Sequence, residues 1–340
     1  MPHARTRSSS PAPQSSPAPH PGRGAPQHRR PGSRTAPAAR TARTPRAAGL
    51  AAAAGLALAA CAPAGTDDRV DVVAAFYPLQ FVAERVGGGH VDVASLTPPG
   101  GEPHDLELSP SAVSRIGDAD LVVYLSGFQA ATDEAVAASR PAHAVDTAGA
   151  AALEAGPDGT DAGSRSGALD PHFWLDPARL AEVGHQVADA LAEVAPAHAD
   201  DFAAAAADLE ADLDALDDDL ARGLASCRGA TLVASHEAFG YLAERYGLHQ
   251  VGLSGIDPEV EPSPARLRDV ADVVRDEGVR TLYFEVLVSP KVTRTLADEL
   301  GVATAVLDPL EGRAEGDERD YLDVMRDNLD ALATGLTCGG

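Results

Sequence analysis

From Val70 onward the chain alternates short apolar runs with stretches whose apolar residues recur every three or four positions, the pattern of strand–helix–strand units around a parallel sheet. Strands are predicted at 70–76 (VDVVAAF), 91–96 (VDVASL), 121–126 (LVVYLS) and, more weakly, 142–147 (AHAVDT). Pro78 opens a helix, and Ser109-Pro110 places a capping serine before a first-turn proline at another. Residues 149–168 are rich in Gly, Asp and Ser and read as a surface loop. Two strongly periodic stretches follow, one carrying Leu180, Val183, Val187, Leu191 and Val194, the other Leu209, Leu213, Leu216, Leu220 and Leu224. The second, from about Pro196 to Gly223, would be roughly 40 Å long at 1.5 Å per residue, enough to run along two lobes as a spine.

The strand–helix pattern then restarts. Strands are predicted at 230–235, 249–254, 281–286 and 303–308, with helices at 237–246, 264–277, 290–300 and 319–334. Ser263-Pro264 and Ser289-Pro290 repeat the cap-plus-proline start. The fold class is therefore α/β: two lobes, each with a mostly parallel sheet flanked by helices, joined by a long spine helix. The expected organisation is a leader at 1–60, a tether at 61–69, an N-terminal lobe at 70–195, the spine at 196–223 and a C-terminal lobe at 224–340.

Composition separates off the leader. Residues 1–46 hold nine arginines, no acid and abundant Pro, Ser and Ala, a mixture that cannot bury enough apolar surface to fold. An uncharged run from Ala47 to Ala60 has the length of a signal-peptide core and is too short to span a bilayer. It ends in Leu58-Ala59-Ala60-Cys61, which matches a lipobox, so Cys61 is expected to be lipidated and the protein to be exported and anchored to the outer face of the cell membrane. With 9 of the 27 basic residues in the leader, residues 61–340 carry 18 basic against 51 acidic residues, a formal charge of −33. Nucleic acid and anionic membrane surfaces are poor partners for such a chain. In an exported protein the other two cysteines, Cys227 and Cys338, are expected to pair and tie the chain end to the start of the second lobe; the alternative is two separate buried thiols.

Eight histidines follow the leader. His185 and His198 sit in helical stretches, His90 follows a glycine run, and His143 and His249 open weak strands; all five read as surface or packing residues. His104, His172 and His236 instead lie where a strand or loop gives way to a helix, as does Asp308 at the end of the last strand. In open parallel sheets ligands bind beyond the carboxyl ends of the strands. Three imidazoles and one carboxylate suit a first-row divalent metal, zinc above all. Each also has a plainer reading: a loop histidine commonly bonds to backbone, and Asp before Pro commonly starts a turn or helix, the reading preferred for Asp176. The residues alone leave both open.

In this order and at these separations, PGGEPHDLELSP, DPHFWLDP, SHEAFGYLAERYGL, EPSPARL and VLDPLEG resemble the metal-binding solute-binding lipoproteins of ABC transporters, the ZnuA/TroA type, over residues 70–337. The resemblance implies two α/β lobes on a rigid long helix and one metal in the cleft, held by His104, His172, His236 and Asp308. It also implies that manganese-selective relatives carry glutamate where this chain has His236, so zinc is the expected cargo, with manganese uptake or a metal-dependent surface adhesin as alternatives. Glu285 and Asp170 are expected to support ligands from behind, Glu285 alternatively to join the lobes. The implied partners are a membrane permease and its cytoplasmic ATPase, the protein itself a monomer. No catalysis is expected: four protein ligands close the metal, and Glu237, the one obvious base beside His236, is expected to face solvent on its helix.

Overall fold

The computed structural model describes residues 69–156, 169–336 and 338; the leader, Cys61 and residues 157–168 lie outside them. The first half runs β1 (Val70–Ala74), α1 (Tyr77–Gly87), β2 (Val91–Ser95), α2 (Pro110–Asp118), β3 (Leu121–Tyr124), α3 (Ala130–Ser139) and β4 (Ala144–Asp146). Its strands are all parallel, in the order β2-β1-β3-β4. Two helices follow, α4 (Pro177–Val194) and α5 (Ala199–Gly223). The second half runs β5 (Thr231–Ala234), α6 (Gly240–Tyr246), β6 (His249–Gly252), α7 (Pro264–Asp276), β7 (Thr281–Phe284), α8 (Lys291–Leu300), β8 (Ala303–Val306) and α9 (Tyr321–Gly335). Its sheet is again all parallel, in the equivalent order β6-β5-β7-β8. Unbroken apolar runs such as Leu121-Val122-Val123 are buried throughout because helices cover both faces of the sheet.

Helix α5 presents Phe202, Ala206, Leu209, Leu213, Leu216 and Leu220 as one buried stripe and packs against α4, α1 and α9. One apolar core therefore passes from Val72 and Leu79 through Leu209 and Leu213 to Leu232, Leu242 and Met325. Polar clamps fasten the helix at both sides. Arg85 of α1 binds Asp212 at 2.5 Å, and Arg245 of α6 grips Asp217 with two contacts of 2.6 and 2.8 Å. From the far end α9 reaches back to the first half: the Tyr321 hydroxyl donates to the Trp174 carbonyl at 2.6 Å, and its ring stacks on Phe81. Cys227 and Cys338 are joined by a disulfide.

The structure departs from the sequence expectations at four places. Helix α3 was absent from them because AATDEAVAAS has no marked apolar stripe; it buries only Thr132, Ala135 and Val136. The spine starts at Ala199, since Pro196, which lacks an N–H, opens a separate 3-10 turn with Ala197 and His198. Ser109 and Ser263 cap their helices through the side chain, but Ser289 does not: Pro290 is the cap residue of α8, without a side-chain bond. Helix α6 begins at Gly240 rather than at 237, because the Glu237 backbone N–H donates to the Gly255 carbonyl and its carboxylate accepts from Arg266 at 2.9 Å. Glu237 is thus held in an ion pair, not turned to solvent on a helix.

Candidate metal centre

Three loops at the carboxyl ends of strands and the turn before α4 carry the site. His104 follows β2, His172 lies in the turn before α4, His236 follows β5, and Glu311 follows β8. Each loop is tied down by the sequence around it. The buried Gln129 amide donates to the Pro103 carbonyl at 3.2 Å and to Thr97 at 3.1 Å, fixing the loop of His104, whose ring meets Phe128 edge-on. Asp176 caps α4 by accepting from the Ala178 N–H at 3.0 Å, the helix-starting role expected of it. The buried Trp174 indole donates to the Pro309 carbonyl at 2.7 Å, pinning the loop of His172 to that of Glu311.

The imidazole Nε2 atoms of His172 and His236 each lie 2.9 Å from Glu311 Oε1, and that of His104 lies 3.3 Å from it. Behind the rings, His172 Nδ1 is 2.6 Å from Asp170 Oδ1 and His236 Nδ1 is 2.8 Å from Glu285 Oε1. An Nδ1–H held by a carboxylate leaves Nε2 as the free donor atom of a neutral ring, so each ring, once it gives up its second proton, presents the Nε2 lone pair to the centre. Ser235 adds a 2.5 Å hydrogen bond to Glu285. Three nitrogens and a carboxylate oxygen within 4.8 Å of one another, all but His104 fully buried, form a donor set for a divalent cation. With Asp170 and Glu285 counted, three carboxylates face the two charges such an ion brings.

Burial disfavours charge on His172, but Asp170 and Glu311 outweigh it and hold its pKa above the ordinary histidine value. His236 is held well above it for the same reason, by Glu285 and Glu311. Burial would neutralise Glu311, yet His236 and His104 pull it well below the carboxylate range. Raised histidine and lowered carboxylate values together favour ring protons facing Glu311 in the metal-free cluster. Glu102, whose Oε1 accepts from the His104 N–H at 2.8 Å, is pushed up to about 8 by burial and by the charge of Glu311.

Asp308 does not meet the histidines. Its Oδ1 accepts from the Leu310 N–H at 2.8 Å, its own N–H donates to Asn328, and its carbonyl accepts from Asn328 at 2.7 Å. Burial raises it to about 6. These bonds hold Leu310 at φ 58° in the left-handed region and so swing the next residue, Glu311, onto the imidazoles. The carboxylate brought to the histidines is thus Glu311, three residues beyond the one expected. The sequence signal for it was weak: Asp-Pro is a turn opener, and the first carboxylate after such a turn is better placed to point inward. Asp170 and Glu285 lie where support for the ligands was expected; Glu237 is outside the cluster.

An α/β chain built of two similar halves, with three histidines and a carboxylate gathered at the strand ends, defines a metal-site protein class. The chain belongs to the family described as zinc-uptake complex component A, periplasmic (ZnuA), which matches residues 72–335. It is 36% identical over 287 residues to the zinc-binding protein AdcA of Streptococcus pyogenes serotype M6, covering 78% of this chain and 56% of that protein. It is 32% identical over 282 residues to the high-affinity zinc uptake system protein ZnuA of Bacillus subtilis, covering 79% and 88%. Among solved structures, Zn(II)-bound AdcA from Streptococcus pneumoniae superposes with a TM-score of 0.67 at 33% identity, over 78% of this chain and 57% of that one. The chain spans little more than half the length of the AdcA proteins it matches.

The carboxylate behind His172 sits in a tight space. A Cβ on Gly240 would lie 2.9 Å from Asp170 Oδ2. Gly240→Ala and Asp170→Asn are both expected to weaken zinc binding about 10–100-fold while the far-ultraviolet spectrum stays unchanged, as loss of an outer hydrogen bond to a ligand does. Wild-type affinity in Asp170→Asn would show that the carboxylate does not orient His172.

Proposed function

We propose that this protein is the exported zinc-capturing component of an ABC transporter, binding Zn²⁺ between its two halves and delivering it to a membrane permease driven by a cytoplasmic ATPase. The observation that carries this reading is the convergence of three Nε2 atoms on one buried carboxylate oxygen, with carboxylates behind two of the rings. Three imidazole nitrogens favour zinc over manganese, which prefers oxygen donors. Four protein ligands leave no position reserved for a reacting water, so the role is binding and release rather than covalent chemistry. The polar clamps on α5 oppose wide hinge opening, and release then proceeds through small tilts and rearrangement of the four loops. Lipidation at Cys61 would hold the protein, as a monomer, at the outer face of the membrane.

The test is competitive titration of metal-free protein with zinc and manganese, repeated for His236→Glu. Zinc should win in the wild type, and the substitution should narrow the gap by replacing a nitrogen donor with oxygen. Tighter manganese binding by the wild type would refute the zinc assignment. In the same preparation, unreduced protein should show no free thiol at Cys227 or Cys338 under denaturing conditions, and two reactive thiols there would contradict the disulfide.

A further inference from the structure

We propose that a second, solvent-accessible site for a divalent transition-metal ion is formed by His90, His198 and Asp201, at the start of α5. By their sequence context His90 and His198 read as surface or packing residues, yet the fold brings them together. His90 closes a 3-10 turn ahead of β2, His198 closes the 3-10 turn that precedes α5, and Asp201 lies three residues on, on the face of the helix that His198 adjoins. The two imidazoles stack with centroids 3.9 Å apart and planes 22° from parallel. His90 Nε2 lies 3.3 Å and His198 Nδ1 3.7 Å from the same oxygen, Asp201 Oδ2. The fully buried Phe202 meets both rings at steep angles, with centroids at 5.8 and 6.3 Å, and supports them from below.

One donor atom from each of the three residues falls within 4.8 Å of the others. Metal–nitrogen bonds of about 2.0–2.1 Å lie in the plane of each imidazole, so an ion shared by the two rings turns them out of their stack until both lone pairs converge on it. The site is distinct from the buried one: His90 precedes β2 and His104 follows it, and five residues of strand span about 16 Å.

Two observations favour metal over a plain ion pair. Two imidazolium rings stacked 3.9 Å apart would repel each other, whereas neutral rings offer lone pairs and can share one cation. Asp200 and Asp201 in the first turn of α5 offset the helix end, and the −33 charge of residues 61–340 raises the local concentration of cations. The rings are 37% and 38% exposed and Asp201 65%, so water completes the shell and the ion exchanges readily. This site requires nothing of the buried one.

The experiment is calorimetric titration of metal-stripped protein with zinc sulfate, paired with nitrogen-15 spectra of the histidine rings. The expected result is a tight equivalent followed by a weaker second one, with His90 Nε2 and His198 Nδ1 shifting only in the second phase. His90→Asn and His198→Asn should each abolish the second equivalent and keep the first, while His172→Ala should lose the tight equivalent and keep the weak one. Because the altered side chains are partly exposed, these variants should fold as the wild type does, and the ring spectra of the wild type give the answer without them. A second phase that leaves the His90 and His198 resonances unmoved, or that survives in the double variant, overturns the proposal, as does a titration with no second phase.

Discussion

Glu311→Gln should weaken zinc binding roughly a hundredfold, while Asp308→Asn should cost less than tenfold. Apparent zinc-site free energies of about 10–16 kcal/mol spread over four ligands come to about 3 kcal/mol each, and every 1.4 kcal/mol is a factor of ten. Gln keeps the shape of Glu311 but removes the charge that three Nε2 atoms face at 2.9 to 3.3 Å. Asn at 308 can still accept from the Leu310 N–H, the bond that turns the chain toward Glu311. Competition against a chromogenic zinc chelator measures both. Equal losses in the two variants, or the greater loss in Asp308→Asn, would return the ligand role to Asp308.

The second large effect is a divergence between the metal-free and zinc-loaded proteins as pH changes. In the metal-free fold His172 and His236 have raised pKa values, so their contribution to stability is complete below the unfolded histidine value near 6.5 and is lost as pH rises through the raised values. Glu311 is lowered, so its contribution holds above the ordinary carboxylate range and is lost as pH falls through the lowered value. Between those limits the buried cluster stabilises the metal-free protein; on the alkaline side neutral rings leave Glu311 charged and unbalanced. Its melting temperature should therefore fall above the raised histidine range, by about 2–4 °C per kcal/mol lost for a domain of 150–250 residues.

Zinc reverses the trend, because it takes the place of the ring protons. As pH drops, affinity should fall about tenfold per pH unit for each proton displaced, starting above the 6.5 that free histidines would suggest. Melting curves across pH with and without zinc, together with proton release measured in two buffers, check this. A metal-free protein that grows more stable with rising pH through the histidine range would mean that the rings are not protonated against Glu311.

Much of the architecture was legible in the chain because its signals are local. Leu121-Val122-Val123 marks a strand buried on both faces, Ser109 and Ser263 mark helix starts, and the leucines of α5 repeat at spacings of three and four. Helix α3 was missed where that periodicity fades, and the start of α6 where Arg266, distant in sequence, holds Glu237 out of the helix. The three site histidines were legible from their place where a strand or loop gives way to a helix, but that place left a plainer backbone-bonding reading open until the five motifs were taken together.

By itself, then, the sequence determined two parallel α/β halves joined by a long helix, and the histidines that their strand ends present. Those features depend on periodicity and on residue type, which each segment carries alone. Only the tertiary structure decided which carboxylate faces the histidines, because that rests on where a backbone turns: Asp308 spends its oxygen on Leu310 and Asn328 locks the turn, so Glu311 arrives at the rings. The same holds for His90 and His198, which are 108 positions apart by their numbers and meet only because α5 starts beside the turn before β2. Contacts between distant segments are set by how packed elements meet, and no local pattern records them.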